Sequence, residues 1–302
     1  MNNLLLRRDF LKISASAAIG AAMIPGTVHA ADSGKKRPNI HKGIMWSTVG
    51  AKGSVMEKFK ICKEAGFEGI EAMSHMNQEE VLAARDATGL KVPSVCCATH
   101  WNETLTHPNP GTRERGLEGL QHSLKDAAKY GARSVLLVPG VVNKQVSYAD
   151  AYSRSQEQIR KALPLAAELK VKIAIENVWN NFLLSPMEAA RYIDDFQSPW
   201  VGWHFDIGNV IHYGWPEQWA RILGKRIVTL HIKEFSRKQA DAQGRGKGFA
   251  IEFLKGDNDW PAVMKAIDEI GFDGWGIAEQ GGGDSLEGLT KLSTEMDQIF
   301  AS

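Results

Sequence analysis

Four ionisable side chains in the second half of the chain each stand at the end of a short apolar run. They are Glu176 in IAIEN, Asp206 in HFDIGN, His231 in LHIKEF and Glu279 in GIAEQ. An ionised carboxylate is costly to bury without a partner, and three converging carboxylates would raise one another's pKa values. A divalent cation removes that penalty, and carboxylates with one imidazole suit a hard or borderline ion. The pattern predicts a site for one divalent cation, with Mn²⁺, Mg²⁺, Co²⁺ or Zn²⁺ as candidates.

These four runs belong to a pattern that repeats eight times after residue 40. Each repeat has a short apolar run, a loop and an amphipathic helical segment, which indicates a parallel sheet with helices between its strands. Strand candidates begin at residues 43, 69, 92, 134, 172, 201, 227 and 274, and helix candidates cover about 54–66, 77–88, 112–130, 148–169, 186–197, 216–225, 260–270 and 285–299. Eight repeats without a Gly-rich phosphate loop after the first strand favour a single (β/α)₈ TIM barrel over an open doubly wound sheet.

In such a barrel the functional face lies at the carboxyl ends of the strands, where further polar and aromatic residues are expected. The candidates for substrate contact there are Glu71, His100, Trp101, Trp179, His204 and Lys233. Lys233 could hold developing negative charge or form a salt bridge to a carboxylate, and His204 could contact substrate or pack in the core. Tryptophan rings could stack on a sugar face or serve packing alone.

The residues at the strand ends give the chain a resemblance to the xylose isomerase-like TIM barrels. The order Glu, Asp, His, Glu on strands five to eight carries it, with the ending FLKGDNDWPAVMKAIDEIGFDGWGIAE, over roughly residues 41–300. That superfamily includes ketose 3-epimerases, hydroxypyruvate isomerases, inosose dehydratases and endonuclease IV. The resemblance implies that Glu176, Asp206, His231 and Glu279 hold the ion and that the two glutamates also move protons. It further implies that Arg237 binds the substrate.

Two positions depart from the pattern of the resembling families. Asn209 stands where many relatives have a histidine three residues after the strand-six aspartate. This side chain could hydrogen-bond a substrate hydroxyl but cannot titrate. Phe182 stands where the epimerases have a second glutamate, six residues after the first. The resemblance therefore extends to the ion site and leaves the substrate open.

The ion site suggests a reaction at the carbon beside a carbonyl. A metal with open positions could chelate an α-hydroxy carbonyl and stabilise its enediolate, while Glu176 and Glu279 remove and return the proton. The first hypothesis is therefore a divalent-metal-dependent isomerase or epimerase acting on a sugar or keto-sugar. A lyase that eliminates the aglycone of a 3-keto-glycoside is the alternative enzyme. A non-catalytic, metal-dependent carbohydrate-binding protein is the alternative of another class.

The first thirty residues have the pattern of an export signal. Arg7 and Arg8 precede a twelve-residue apolar stretch, and VHA before Ala31 fits a cleavage site. The paired arginines resemble a twin-arginine signal, with an ordinary secretory signal or a retained anchor as alternatives. The apolar stretch is short for a membrane span. We expect a signal over 1–30, a linker over 31–40, a barrel over 41–302, a periplasmic or other extracytoplasmic location and no stable membrane insertion after cleavage.

Charge and histidine content restrict the partners. Without residues 1–30, 33 basic and 34 acidic side chains remain, a balance that does not favour nucleic acid. Endonuclease-type sites hold three zinc ions with many more histidines than the eight left here. The expected partner is a small carbohydrate, and homo-oligomerisation is left open. Three cysteines do not make a disulfide framework, and we expect them to be buried as small apolar side chains.

Overall fold

A computed structural model describes residues 39–302, and the predicted export signal lies outside these residues. Eight parallel strands form a closed barrel in sequence order, as the repeat pattern predicted. The ring closes between the first and last strands, where Ile40 pairs with Gly274 and Ile44 with Ala278. The strands are β1 (Ile40–Met45), β2 (Gly69–Met73), β3 (Ser94–Cys96), β4 (Ser134–Leu137), β5 (Lys172–Ile175), β6 (Val201–Asp206), β7 (Ile227–Ile232) and β8 (Gly274–Ala278).

Ten α-helices accompany these strands in the part of the chain described. They are α1 (Val55–Glu64), α2 (Gln78–Thr88), α3 (Pro110–Tyr130), α4 (Tyr148–Leu169), α5 (Pro186–Asp194), α6 (Ile207–Ile211), α7 (Pro216–Leu223), α8 (Arg237–Gln243), α9 (Trp260–Glu269) and α10 (Leu286–Ala301). Eight of them were predicted, whereas the short helices α6 and α8 were not. Among residues 39–302, none of the helices combines the length and the apolar character needed to cross a membrane.

The helix ends follow local capping chemistry. Ser54 Oγ accepts a hydrogen bond from the backbone N–H of Glu57, and the Glu57 carboxylate accepts one from the backbone N–H of Ser54. This reciprocal pair satisfies backbone donors that α1 leaves free at its start. Gly89 and Gly131 end α2 and α3 with φ of 70° and 77°, a region that glycine occupies without steric cost. Short helix-to-strand turns of this kind bring each strand back into the ring.

The core has two apolar layers that share the strands. The larger one, with the buried helix faces, contains Cys97, and a smaller cluster contains Cys96 with Met45, Leu136 and Ile277. Successive residues of a strand point to opposite faces, so neighbouring cysteines enter different layers. All three cysteines are free and buried, as predicted.

Polar side chains also occupy the interior of the barrel. Ser134 Oγ on β4 lies 3.4 Å from Thr229 Oγ1 on β7, and both residues are buried. Because β4 and β7 are not neighbours in the ring, this contact crosses the interior. The interior of the barrel therefore contains polar as well as apolar side chains.

Candidate metal centre

The four predicted metal ligands converge at one end of the barrel. His231 Nδ1 lies 3.0 Å from Glu279 Oε2, 3.6 Å from Glu176 Oε1 and 3.9 Å from Asp206 Oδ2. One donor atom from each of the four residues falls within 4.8 Å of the donor atoms of the other three. The structure thus brings three carboxylates and one imidazole into a single cluster.

Strand pairing fixes the backbone of the cluster. Asp206 and His231 are paired residues of β6 and β7. Glu176 and Glu279 follow the last residues of β5 and β8, and their backbone N–H groups donate to the carbonyls of Leu137 and Ile232 at 3.0 Å. Parallel strands in one barrel present their carboxyl ends at the same rim, so four separate strands deliver four ligands to one place.

The environment of His231 Nδ1 fits a metal ligand. This nitrogen is buried and has no hydrogen-bond partner within residues 39–302, although a Glu279 oxygen lies 3.0 Å away. Buried polar atoms are normally satisfied, and a cation among three carboxylates would satisfy this one. The donor set suits a hard or borderline divalent ion.

Glu71 holds the other nitrogen of the same imidazole. Its Oε2 lies 2.8 Å from His231 Nε2, and its Oε1 accepts a hydrogen bond from Ser94 Oγ. The Glu71 side chain is fully buried, and these contacts bind it to the His231 imidazole and the Ser94 hydroxyl. The structure thus shows a carboxylate beside the imidazole, and the substrate contact of Glu71 stays a prediction.

Lys233 supplies positive charge to the cluster. Its Nζ lies 2.9 Å from Glu279 Oε2 and 3.3 Å from Asp206 Oδ2. The ammonium also lies over the ring of Phe249, 4.6 Å from its centroid. Of the two predicted roles, the structure shows the salt bridge, which offsets part of the repulsion among the carboxylates.

Burial and neighbouring charges set the pKa values of the three carboxyls apart. Burial raises the pKa of Asp206 to about 8, against the pull of Lys233. Burial likewise raises the pKa of Glu176. Burial acts in the same direction on Glu279, but Lys233 and His231 outweigh it and hold the pKa of that carboxyl well below its ordinary value. Positive charge near Glu279 thus favours its ionised form.

Two further predicted histidines line the interior beside the cluster. The His204 ring lies edge-on to the His231 ring at 4.1 Å, and neither of its nitrogens has a hydrogen-bond partner in the described chain. His100 Nδ1 accepts a hydrogen bond from the backbone N–H of Val138 at 3.2 Å. Burial lowers the pKa of both rings, that of His100 to about 4, so both are neutral at pH 7. Trp101 packs edge-on against His100 and is 48% exposed.

Asn209 lies inside the ligand cluster. Asp206 caps the short helix α6, since its Oδ1 accepts a hydrogen bond from the backbone N–H of Asn209 at 2.8 Å. The Asn209 side chain donates to Glu176 Oε1 at 3.4 Å. This asparagine therefore links two of the predicted ligands, and its own Oδ1 has no hydrogen-bond partner among residues 39–302.

A comparison with known protein families shows the family of this barrel. The family model described as the xylose isomerase-like TIM barrel matches residues 59–297. The chain belongs to this family. The match covers the strands that bear all four residues of the cluster, as the resemblance in sequence implied.

Several of the proteins that this chain is similar to are named as sugar epimerases. The chain is 25% identical over 209 residues to the L-ribulose-5-phosphate 3-epimerase UlaE of Escherichia coli K12, which covers 65% of this chain and 74% of that protein. Among solved structures, the 3-keto-D-glucoside 4-epimerase YcjR of E. coli matches with a TM-score of 0.73 at 17% identity, over 86% of this chain and 98% of that one. The IOLI protein, with a binding zinc atom, matches with a TM-score of 0.69 at 15% identity, over 86% and 98%. These two structures share the fold.

Arg237, which the resemblance in sequence implied as a substrate-binding residue, contacts backbone carbonyls in this structure. Its guanidinium donates to the carbonyls of Ile211 at 2.9 Å and Gly214 at 2.8 Å, and it lies over the ring of Trp215. These bonds fasten the loop after α6 to the start of α8. The structure does not bring Arg237 into hydrogen bonding with the four-residue cluster.

The GDNDW stretch, residues 256–260, holds the loop after β7 in place through the carboxylate of Glu234. Glu234 was not among the predicted site residues. Glu234 is fully buried and accepts hydrogen bonds from Trp260 Nε1 and Asn258 Nδ2, both at 2.8 Å. The side chain of Gln280 accepts from the backbone N–H of Glu234 at 2.8 Å. These contacts fix the chain next to Lys233. The signal that could have identified Glu234 is its position as a second acid in the apolar run LHIKEF.

Aromatic rings form a wall beside Lys233. Trp179 stacks on Phe249 at 4.7 Å, and the guanidinium of Arg245 lies 4.3 Å from the centre of the Trp179 ring. Trp179 was predicted as a stacking residue, whereas Phe249 and Arg245 were missed. They lie in a 3₁₀ segment with no regular apolar period, so the sequence offered no signal for them.

Proposed function

We propose that this protein is a divalent-metal-dependent epimerase or isomerase that moves a proton beside the carbonyl of a sugar or keto-sugar. The observation that carries the proposal is the pair Glu176 and Glu279, whose carboxylates flank the same nitrogen of His231. The sugar epimerases among the relatives support a carbohydrate substrate. Either feature alone would support only a binding site, whereas together they favour chemistry on a sugar.

The proposed ligands of the ion are Glu176, Asp206, His231 Nδ1 and Glu279. A divalent cation held there would polarise a substrate carbonyl and acidify the neighbouring C–H group. Glu71 would orient the imidazole, and Asn209 would position the Glu176 carboxylate. The choice among Mn²⁺, Mg²⁺, Co²⁺ and Zn²⁺ is left to measurement.

Glu176 and Glu279 are the proposed proton-transfer groups. They follow β5 and β8, which are separated by two strands around the ring, so their carboxylates approach a bound sugar from different sides. One can remove a proton from one face while the other delivers a proton to the opposite face, which inverts the carbon. Glu279 is 24% exposed and Glu176 only 6%, so solvent reaches the former more easily.

Lys233 and the aromatic wall are proposed to shape the substrate site. The Lys233 ammonium can stabilise negative charge that develops on a substrate oxygen. The rings of Trp179 and Phe249 offer an apolar surface for the C–H face of a sugar beside that ammonium. Trp101, half exposed at the end of β3, is a second candidate surface.

The proposal can be tested by proton exchange. Metal-loaded protein is incubated in D₂O with a panel of free ketoses, ketose phosphates and 3-keto-glucosides, and the products are followed by NMR. We expect deuterium at the carbon next to the carbonyl of one substrate class, together with its epimer or isomer. Release of an aglycone would instead establish the lyase. Saturable sugar binding without exchange on any substrate would establish a non-catalytic binding protein.

We also propose that the protein works outside the cytoplasm after export by the twin-arginine route. The support is the sequence alone, with Arg7 and Arg8 before an apolar stretch and a small-residue cleavage site. An extracytoplasmic enzyme would meet sugars that arrive from outside the cell, which makes unphosphorylated substrates the first to test.

A further inference from the structure

A second group of potential metal ligands lies where the loop after β2 meets α3. It consists of His75, two residues beyond β2, and of His122 and Asp126, one turn apart on α3, with donor atoms within 4.8 Å of one another. The hydrogen bonds and ion pairs that join these residues to their surroundings involve Ser74, Gln78 and one another. None of those contacts includes a residue of the cluster at the barrel mouth.

The backbone and ring of His75 are held in an unusual arrangement. Its φ is 65°, a left-handed conformation that is uncommon for residues other than glycine. Its backbone N–H donates to Asp126 Oδ2 at 2.8 Å, and its Nδ1 lies 2.8 Å from Ser74 Oγ. A histidine that binds a metal commonly has its other ring nitrogen engaged in this way. The bond to Ser74 leaves His75 Nε2 as the available ligand atom.

His122 and Asp126 complete a half-open pocket of donors. The rings of His75 and His122 are stacked, with centroids 4.0 Å apart and planes within 14° of parallel. His122 Nε2 lies 3.2 Å from Asp126 Oδ2, while Gln78 Nε2 holds the other oxygen of that carboxylate at 2.6 Å. Asp126 is fully buried whereas both imidazoles are exposed on one side. Two nearly parallel rings cannot both direct an in-plane lone pair at one ion, so a cation would reach all three donors once one of the exposed imidazoles turns out of the stack, and it would keep water in its remaining positions.

We propose that His75, His122 and Asp126 bind a second divalent transition-metal ion, independent of the ion at the barrel mouth. Two imidazoles with one carboxylate suit Zn²⁺, Cu²⁺ or Ni²⁺ better than Mg²⁺ or Ca²⁺. The ligands would be the Nε2 atoms of the two histidines and Oδ2 of Asp126. Such an ion would fasten the loop that follows β2 to α3. Without it, His122 Nε2 and Asp126 Oδ2 contact each other across one turn of α3.

The test counts ions in full-length protein that has been stripped of metal and dialysed against micromolar Zn²⁺. We expect about two zinc ions per chain in the wild type. His122→Ala and Asp206→Ala should each retain about one, with zinc affinity at the lost site at least tenfold weaker. His75→Asn is a second variant of the same site, because asparagine tolerates the left-handed backbone. His41→Ala is the control, since His41 is a half-exposed histidine on β1 and should leave two ions in place.

The outcomes separate this inference from the proposed function. A zinc ion that is lost in His122→Ala and His75→Asn but kept in Asp206→Ala supports the second site, whatever happens at the barrel mouth. A wild-type protein with one ion, lost only in Asp206→Ala, overturns it. Equal losses in His41→Ala and His122→Ala also overturn it, because they would show adventitious binding to surface histidines. A zinc-dependent rise in Tm that persists in Asp206→Ala and disappears in His122→Ala provides a second readout.

Discussion

Glu71 on β2 and His231 on β7 meet across the interior of the barrel, with Oε2 and Nε2 2.8 Å apart. The two strands are not neighbours in the ring, and both side chains are buried. The contact decides which nitrogen of the imidazole faces the carboxylates at the mouth. The buried Glu71 carboxylate therefore acts on the site at the rim of the barrel through His231.

Replacing Glu71 should weaken ion binding without removing a ligand. Glu71→Gln keeps the size of the side chain but removes the charge that holds His231, so we expect a 10- to 100-fold loss of metal affinity, the usual scale for such partners. Excess metal should restore turnover. Ser94→Ala, which leaves the carboxylate in place, should have a smaller effect. Isothermal titration calorimetry measures both affinities, and equal affinity in Glu71→Gln and the wild type would contradict the orienting role.

Replacing either proposed proton-transfer group should abolish most of the activity. Glutamine keeps one oxygen ligand but cannot act as a base near neutral pH. We expect Glu176→Gln and Glu279→Gln each to lower kcat by at least about a hundredfold. Elemental analysis should show much less metal loss than in Asp206→Ala. If both glutamine variants turned over at the wild-type rate with normal metal content, the assignment of these residues would be wrong.

Replacing Lys233 should destabilise the protein more when no metal is bound than when a divalent ion is present. Lys233→Met leaves the largely buried, ionised Glu279 carboxylate without its ammonium partner, and breaking a buried pair costs about 3–5 kcal/mol. A saturating divalent ion should recover part of this loss. Lys291→Met removes an exposed pair with Glu252 and should cost about 1 kcal/mol or less. Urea unfolding with and without chelator measures the free energies, and a similar cost for both variants would refute the prediction.

His100 should contribute to a loss of stability in acid. Burial lowers its pKa from 6.5 to about 4, so between these values the unfolded chain binds the proton and the folded chain does not. The free energy of unfolding that depends on a neutral His100 is fully present above pH 6.5. It falls by about 3 kcal/mol in total as the pH drops towards 4. Unfolding free energies at several pH values should show a shallower decline in His100→Gln. A parallel decline in the two proteins would assign the acid sensitivity elsewhere.

The paired arginines should be required for export. Arg7→Lys with Arg8→Lys should leave the precursor in the cytoplasm, because twin-arginine export depends on that pair. Cell fractionation with immunodetection measures the distribution. Delivery that is unchanged in the double variant, or in a strain without the twin-arginine translocase, would point to a different signal.

The sequence predicted the barrel because each strand is a short apolar run between capped helices. It did not separate α6 from β6, since VGWHFDIGNVI is apolar apart from His204, Asp206 and Asn209, and Asp206 is both the last residue of the strand and the cap of the helix. It also missed α8, which has seven residues and no buried face. Elements this short do not complete the two or three turns that a periodic pattern needs.

The sequence also predicted which residues would meet at the mouth, because the carboxyl ends of parallel strands share one rim. It did not predict how deep each side chain lies. Glu71 lies inside β2, where its backbone pairs with Met45 of β1. Its side-chain partner, His231, comes 160 residues later in the chain. A local pattern contains no information about a side-chain contact between two strands that are not neighbours in the ring. The hydrogen bonds from Arg237 to backbone carbonyls were not predicted for the same reason.

The seam between β1 and β8 has a consequence for how the protein would acquire the proposed ion. Residues 40–44 pair with residues 274–278, so the ring cannot close until nearly the whole chain has left the ribosome. Glu279 follows β8 directly, and the fourth proposed ligand therefore arrives with the last strand. An ion bound by all four ligands would stabilise the closed barrel, because it would bind the folded chain and not the unfolded one. If export takes the folded chain, the cytoplasmic supply of metals, and not that of the destination, would determine which ion the protein contains.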